Sequence, residues 1–217
     1  MKQTKWDSIY KRGEFTFLTP HPEVVKYINQ LKKNREINIL DLGCGAGRHL
    51  LYISENSYIP LGIDFSTEAL RISKERLNKA NLHALLLGGD MTLLPLRSNS
   101  FDVVICINTI YHNTRAKIKH TISEIKRILK PGGKLLVTFI SKRSWKYGLG
   151  TKIDKDTFIQ NEGTEKGVIH YYASKDDIKE ILGNLKILKI ILHEEVIGNK
   201  LRSQWIVYAE KPIILKS

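Results

Sequence analysis

The chain has 217 residues, of which 42% are hydrophobic and 26% charged, a balance typical of one soluble globular domain with its own core. Its 35 lysines and arginines outnumber its 22 acidic residues, which gives a formal net charge of +13. No apolar run approaches the ~20 residues that a membrane helix needs, and the basic start of the chain lacks the apolar stretch of a secretory signal. We therefore expect no membrane partner. The presence of only two cysteines predicts a reducing, cytoplasmic location, and we expect a monomer or homodimer.

The cysteines and the positive charge narrow the choice of ligands and partners. Cys44 and Cys106 have no cysteine or histidine nearby at metal-ligand spacing, so we expect neither a disulfide framework nor a metal site. The charge has two interpretations, because it can favour nucleic acid or simply come from lysines spread over solvated helix faces. Nucleic acid therefore stays open as a partner.

Short apolar runs rich in isoleucine, leucine and valine alternate with amphipathic segments along the chain. The runs predict strands at Ile37–Leu40, Ile59–Ile63, His83–Leu87, Phe101–Ile107, Lys134–Ile140, Lys186–Leu192 and Trp205–Ala209. The amphipathic segments predict helices at Pro22–Lys33, Ser66–Lys79, Arg115–Leu129 and Ser174–Leu182. This alternation predicts a doubly wound α/β fold, with a seven-stranded, mostly parallel sheet and helices on both faces.

Two segments break the alternation. Residues 1–21 are polar but hold Trp6 and Tyr10, and residues 141–172 are long and polar but hold five aromatic side chains. Structureless segments of that length are uncommon unless they cover a site, although the aromatic residues could also merely anchor a terminus and a loop. We expect one domain over 1–217, with a lid (1–21), a ligand-binding core (37–140), a cap (141–172) and a C-terminal part of the sheet (173–217).

The most informative stretch is a glycine-rich turn, where an apolar strand ends and a helical pattern begins. Gly43, Gly45 and Gly47 allow the backbone to approach a ligand without interference from a Cβ atom. The turn also aims the free N–H groups of the following helix at that ligand. Nucleotide-binding dehydrogenases use a similar turn, so these glycines alone do not fix the function.

Three aspartates sharpen the prediction. Asp41, Asp64 and Asp90 follow or end three successive predicted strands. Each alone is most simply a turn residue or a helix cap. Together they gather carboxylates at the edge where open α/β sheets bind ligands, and a carboxylate there can accept hydrogen bonds from ribose hydroxyls.

The order and spacing of these features resemble those of the class I S-adenosylmethionine-dependent methyltransferases. The run Asp41–Gly47 is similar to the first motif of that family, and the strand Phe101–Cys106 and the turn Leu129–Gly133 are similar to later landmarks. The resemblance covers residues 37–140 and implies a Rossmann-like fold, methyltransferase activity and S-adenosylmethionine as the cofactor.

The resemblance also implies roles for single residues. The glycines would line the methionine portion with Asp41 near its ammonium group, Asp64 would hold the ribose, and Asp90 and Met91 would hold the adenine. The cofactor-binding set that it implies is Asp41, Gly43, Cys44, Gly45, Gly47, Asp64, Phe65, Asp90, Met91, Asn108, Tyr10 and Arg12.

The acceptor is less well defined. The chain resembles a generic type 11 methyltransferase domain, and its opening is similar to the tellurite-resistance and thiopurine types, which implies that Trp6, Tyr10 and Arg12 fold over the cofactor and that the acceptor is a small molecule. Asn108–Tyr111 lacks the prolines of enzymes that methylate amino groups of nucleic acids. An RNA methyltransferase and a non-catalytic cofactor-binding protein stay open. A dehydrogenase is disfavoured, because Arg48 stands where its fingerprint has a third glycine.

Three residues are candidates for chemistry on the acceptor. His112 follows the fourth strand and titrates near neutral pH, as a general base should, although it could also be a loop histidine bonded to the backbone. Tyr111 lines the acceptor pocket or packs in the core. His170 is a second candidate base from the cap, with a plain surface histidine as the alternative.

Overall fold

The computed structural model describes residues 4–31 and 36–213. Its helices are α1 (Lys5–Lys11), α2 (Pro22–Asn29), α3 (Arg48–Glu55), α4 (Thr67–Lys79), α5 (Arg115–Ile128) and α6 (Lys175–Leu182). Its strands are β1 (Ile39–Leu42), β2 (Leu61–Asp64), β3 (Leu85–Gly88), β4 (Phe101–Cys106), β5 (Leu129–Ser141), β6 (Thr151–Asp154), β7 (Thr157–Ile159), β8 (Ile169–Ala173), β9 (Lys186–Ile197) and β10 (Lys200–Glu210). None of the described helices is long and apolar enough to cross a membrane.

The central part of the sheet has the strand order β3-β2-β1-β4-β5-β10-β9, and each of these strands overlaps a predicted one. The first five are parallel to one another, whereas β10 is antiparallel to both β5 and β9. The winding reverses between β1 and β4, which is the kind of switch point where such sheets bind ligands. The doubly wound, mostly parallel α/β fold is therefore confirmed.

The predicted number of strands is wrong, because the cap adds three strands to the sheet. β7 pairs antiparallel with β6 and β8, and β8 joins the end of β5, with Ile140 opposite Tyr172. All four residues of β6 are exposed and β7 has three residues, so neither leaves an alternating apolar pattern in the sequence. The cap is thus a small meander that extends the central sheet.

The apolar pattern missed α1 and placed the end of α2 too far along the chain. The seven-residue α1 is too short to show periodicity, but the Thr4 hydroxyl accepts from the Asp7 N–H at 3.0 Å and the Asp7 carboxylate accepts from the Thr4 N–H at 2.7 Å. α2 begins at Pro22 as predicted and ends at Asn29; residues 32 and 33 of that prediction lie outside the described residues.

Buried apolar side chains lie on both faces of the sheet. One cluster joins the sheet to α5 and α6 through residues such as Ile122 and Ile178, and the other joins it to α2 and α3 through Val24 and Ile53. Because both faces are covered, the polar edge at the carboxyl ends of the strands is left for binding.

Candidate functional site

A cavity of about 820 Å³ lies at the carboxyl ends of β1, β2 and β4, between the lid and the cap. Most of the predicted site residues line it: Tyr10, Gly43, Cys44, Gly45, Asp64, Phe65, Asp90, Met91, Asn108, Tyr111, His112 and His170. Asp41, Gly47 and Arg12 do not. The fold therefore brings residues from all parts of the predicted site around one space.

The glycine turn is confined on both sides. Gly43 has φ +75°, and a Cβ atom built on it would lie 2.3 Å from the Thr109 hydroxyl oxygen. A Cβ atom on Gly45 would lie 2.5 Å from the Tyr10 hydroxyl oxygen. Gly47 caps α3 in the left-handed region and supports the turn without lining the cavity. Only glycine fits this path of the backbone.

Asp64 ends β2 and is tied to the turn. One carboxylate oxygen accepts from the Gly45 N–H at 2.8 Å and the other from the Ser66 N–H at 2.8 Å. Burial raises the pKa of Asp64 to about 6, although these hydrogen bonds oppose the shift. The carboxylate is thus ionised at neutral pH and fixed at the cavity wall.

Asp41 lies inside β1, because this strand ends at Leu42 and not at Leu40 as predicted. It is 1% exposed, and neither carboxylate oxygen has a hydrogen bond within the described part of the chain. The His49 Nδ1 atom lies 3.5 Å from one of these oxygens, while His49 Nε2 faces the backbone N–H of His21 at 3.3 Å. A buried carboxylate without a hydrogen bond favours a nearby cation.

The residues predicted for the adenine and methionine ends occupy the cavity wall in different ways. Asp90 is exposed, and one carboxylate oxygen accepts from the backbone N–H and the hydroxyl of Thr92, both at 2.8 Å. Met91 is half-buried beside Asn113. The Asn108 backbone is left-handed at φ +55°, and its N–H donates to the Thr138 hydroxyl at 2.7 Å. Phe65 is 52% exposed at the rim.

The lid is fastened to α4 by one buried carboxylate. Asp7 is 4% exposed and accepts from the Ser66 hydroxyl at 2.7 Å and from the Glu68 N–H at 3.1 Å. Burial alone would raise the pKa of Asp7, but its hydrogen bonds outweigh burial and hold the pKa well below its usual range. This contact places Trp6 and Tyr10 over the cavity, whereas Arg12 points to the cap and donates to the Thr164 carbonyl at 3.4 Å.

The wall opposite the glycine turn carries a polar cluster of His112, Glu165, His170 and Lys146. The Glu165 Oε1 atom lies 3.3 Å from His170 Nε2 and 3.9 Å from His112 Nε2, and its Oε2 atom lies 3.1 Å from the Lys146 ammonium. His170 is 2% exposed, so the alternative of a surface histidine is wrong.

Burial sets the charge state of this cluster. Burial, and then His170, lower the pKa of His112 to about 3. Burial would raise the pKa of Glu165, but the two imidazoles and Lys146 lower it to about 2. His112 is therefore neutral and Glu165 ionised at neutral pH. Tyr111 packs on His112 with ring centroids 4.5 Å apart, and burial raises its pKa well above the usual range.

Sequence reasoning missed Glu165, Lys146, Thr109 and Arg48 as parts of the cavity wall. Thr109 follows Asn108 and Arg48 follows the glycine turn, so their positions next to predicted site residues could have indicated them. Glu165 and Lys146 lie in the cap, where the sequence has many charged residues and no pattern that selects these two.

Residues 39–133 match the family model described as "Methyltransferase domain". An uncharacterized protein of Methanocaldococcus jannaschii is 32% identical over 122 residues, which are 56% of this chain and 49% of that protein. A tRNA (carboxymethyluridine(34)-5-O)-methyltransferase of Mus musculus is 29% identical over 163 residues, which are 70% of this chain and 23% of that protein. The chain thus spans about half or less of the length of these curated relatives.

The fold comparison extends beyond the matched segment. A crystal structure of a SAM-dependent methyltransferase from Methanosarcina mazei superposes with a TM-score of 0.76 at 20% identity, covering 91% of this chain and 100% of that one. The matched segment holds the glycine turn and the three aspartates described above. Residues 39–133 therefore match a methyltransferase domain, and the chain as a whole shares the fold of the Methanosarcina mazei SAM-dependent methyltransferase.

Proposed function

We propose that the protein transfers the methyl group of S-adenosylmethionine to a small-molecule acceptor held between the glycine turn and the cap. The observation that carries this proposal is the contact between the Gly45 N–H and the Asp64 carboxylate at 2.8 Å, which joins the turn to an acidic strand end. The cofactor supplies an already activated methyl group, so the protein mainly aligns and encloses the reactants.

The residues at the turn fit this cofactor. Gly43 and Gly45 present bare backbone to the cavity, and a Cβ atom on either would clash with Thr109 or Tyr10. Asp64 offers carboxylate oxygens at the position where a ribose would present its hydroxyls. The Asp41 carboxylate, which has no hydrogen bond, lies behind the turn and would favour the positive charge of an amino acid ammonium group, although it does not line the cavity.

The size and cover of the cavity support a small acceptor. Its volume of about 820 Å³ lies within the range of small-molecule sites, where ligands are mostly enclosed. Trp6 from the lid and Trp145 from the cap line the same space, so both segments restrict access. The polar cluster faces the acceptor side, where His112, Tyr111 and His170 would orient the nucleophile.

RNA is the second candidate acceptor, because one relative is named for tRNA and this chain has a net charge of +13. A nucleotide extruded from its strand would have to enter between the lid and the cap. Methyl incorporation into tRNA that falls steeply with salt would favour this acceptor. We place either reaction in the cytoplasm, since Cys44 and Cys106 are unpaired and buried.

Calorimetry with S-adenosylhomocysteine tests the cofactor site. We expect wild-type protein to bind it, and Asp64→Ala to weaken binding by roughly 30- to 100-fold, about 2–3 kcal/mol. Asp64→Asn keeps one acceptor oxygen should the alanine variant fold poorly, and Asp176→Ala, on the exposed face of α6, is the control. No binding by wild-type protein would overturn the proposal. A screen of labelled methyl incorporation into thiols, amines, phenols and tRNA then identifies the acceptor class.

A further inference from the structure

Several histidine nitrogens of the polar cluster on the cap wall are buried and have no hydrogen-bond partner. Both ring nitrogens of His170 and the Nδ1 atom of His112 are buried without a hydrogen bond within the described part of the chain. His170 Nε2 lies 3.3 Å from Glu165, but without the alignment of a hydrogen bond. Buried polar atoms are nearly always paired, so the Nε2 atom of His170, which faces the Glu165 carboxylate, indicates a missing partner.

We infer that His112, Glu165 and His170 bind a divalent transition-metal ion at the acceptor side of the cavity. One donor atom from each residue lies within 4.8 Å of the other two. Ligands about 2.0–2.2 Å from a tetrahedral metal are themselves roughly 3.3–3.6 Å apart, so small side-chain rotations close the set. Two imidazoles and one carboxylate suit zinc, iron or nickel better than magnesium or calcium. The expectation of no metal rests on the spacing of the cysteines, and the ligands proposed here include no cysteine.

The residues around His112, Glu165 and His170 hold and shield these three side chains, as is typical of a metal site. The Lys146 ammonium lies 3.1 Å from Glu165 Oε2, which turns the other oxygen, Oε1, toward the two histidines. Ligating carboxylates are commonly held in this way by an outer hydrogen bond. The Trp6 ring packs against His112 with centroids 4.8 Å apart, so the lid shields the cluster from water. A hydrogen bond between Glu165 and His170 alone would not explain why His112 Nε2 also faces the Glu165 carboxylate, at 3.9 Å.

Three protein ligands leave a coordination position open to the cavity, as in catalytic zinc sites. The role of the metal rests on the proposed function, whereas the site itself does not. A hydroxyl or phenol bound there would lose its proton to water more readily. Its oxygen would then form a bond to the methyl carbon while the carbon–sulfur bond breaks and sulfur keeps the electron pair. The acceptor class that this selects is an oxygen nucleophile.

Cobalt(II) titration of the untagged protein tests the site through visible absorption, and zinc(II) titration by calorimetry tests it independently. We expect one equivalent of either ion to bind, with affinity at least about tenfold weaker in Glu165→Gln and His170→Ala. His120→Ala, an exposed histidine on α5, is the matched control and should bind like wild-type protein.

Glu165→Gln keeps the volume of the side chain, and its affinity for S-adenosylhomocysteine should match that of wild-type protein. This second measurement separates loss of metal from loss of fold and from failure of the cofactor site. The inference is overturned if neither ion binds, or if the His120→Ala variant loses as much affinity as the His170→Ala variant.

Discussion

The two walls of the cavity are built by different means. The cofactor wall comes from adjacent strand ends and one glycine turn, so its groups are placed by backbone conformation, as the Gly45 N–H on Asp64 shows. The cap wall joins Lys146, Glu165 and His170 of the cap to His112, which comes much earlier in the sequence, and these groups meet through their side chains. A backbone-built wall tolerates few substitutions, whereas a side-chain wall can change its chemistry. This difference explains how one fold can hold one cofactor and serve many acceptors.

The largest expected effect comes from adding one methyl group to the cofactor wall. Gly43→Ala forces an L-residue to φ +75° and places its Cβ atom 2.3 Å from the Thr109 hydroxyl oxygen. We expect the free energy of unfolding to fall by about 2–4 kcal/mol, from backbone strain and overpacking together. Chemical denaturation monitored by circular dichroism measures it.

Gly163→Ala is the matched control on the cap side. Gly163 has φ +71°, but nothing lies within 4 Å of the point that a Cβ atom would occupy, so only the backbone strain of about 1 kcal/mol should appear. If Gly43→Ala and Gly163→Ala lost the same free energy of unfolding, crowding around the added Cβ atom would not explain the loss at Gly43.

Asp7→Ala should give the next largest effect, because it detaches the lid from the cofactor wall. The variant leaves the Ser66 hydroxyl and the Glu68 N–H without their partner, so we expect a loss of about 1–3 kcal/mol in stability. The pKa of Asp7 is lowered in the folded protein, so its contribution is present above the usual value of 3.8 and is lost as pH falls below it.

The difference in melting temperature between wild-type protein and Asp7→Ala should therefore shrink on acidification. A difference that stays constant from pH 7 to below the usual aspartate pKa would contradict the assignment of an ionised, buried Asp7.

The sequence predicts the cofactor wall better than the cap wall. Apolar runs predicted the seven central strands because even the edge strands β3 and β9 are rich in leucine or isoleucine, although neither is fully buried. The glycines predicted the turn because positive φ angles and close neighbours demand them. The cap strands escaped because β6 is exposed and β7 is short. Glu165 escaped because only its tertiary neighbours distinguish it from other surface carboxylates. The apolar pattern puts Asp41 just past a strand end, but β1 runs two residues further and buries it.

The pH dependence of cofactor binding should expose the electrostatics of the backbone-built wall. Burial raises the pKa of Asp64 to about 6, so this carboxyl group is mostly protonated in the free protein at pH 5 and ionised at pH 7. If ribose hydroxyls donate to the ionised form, affinity for S-adenosylhomocysteine should rise about tenfold over that interval. Calorimetry at both pH values measures it, and the rise should vanish in Asp64→Ala. A flat profile in wild-type protein would rule out a titrating Asp64 in this contact.

The smallest effect should come from Lys146→Met on the cap wall. This pair with Glu165 is partly exposed, so its loss should cost no more than about 1 kcal/mol in stability. Affinity for S-adenosylhomocysteine should stay unchanged, because the backbone groups that hold it do not depend on the cap. If the free energy of cofactor binding fell by as much as the free energy of unfolding, or by more, the two walls would be energetically coupled. Acceptor chemistry could then not vary independently of cofactor binding.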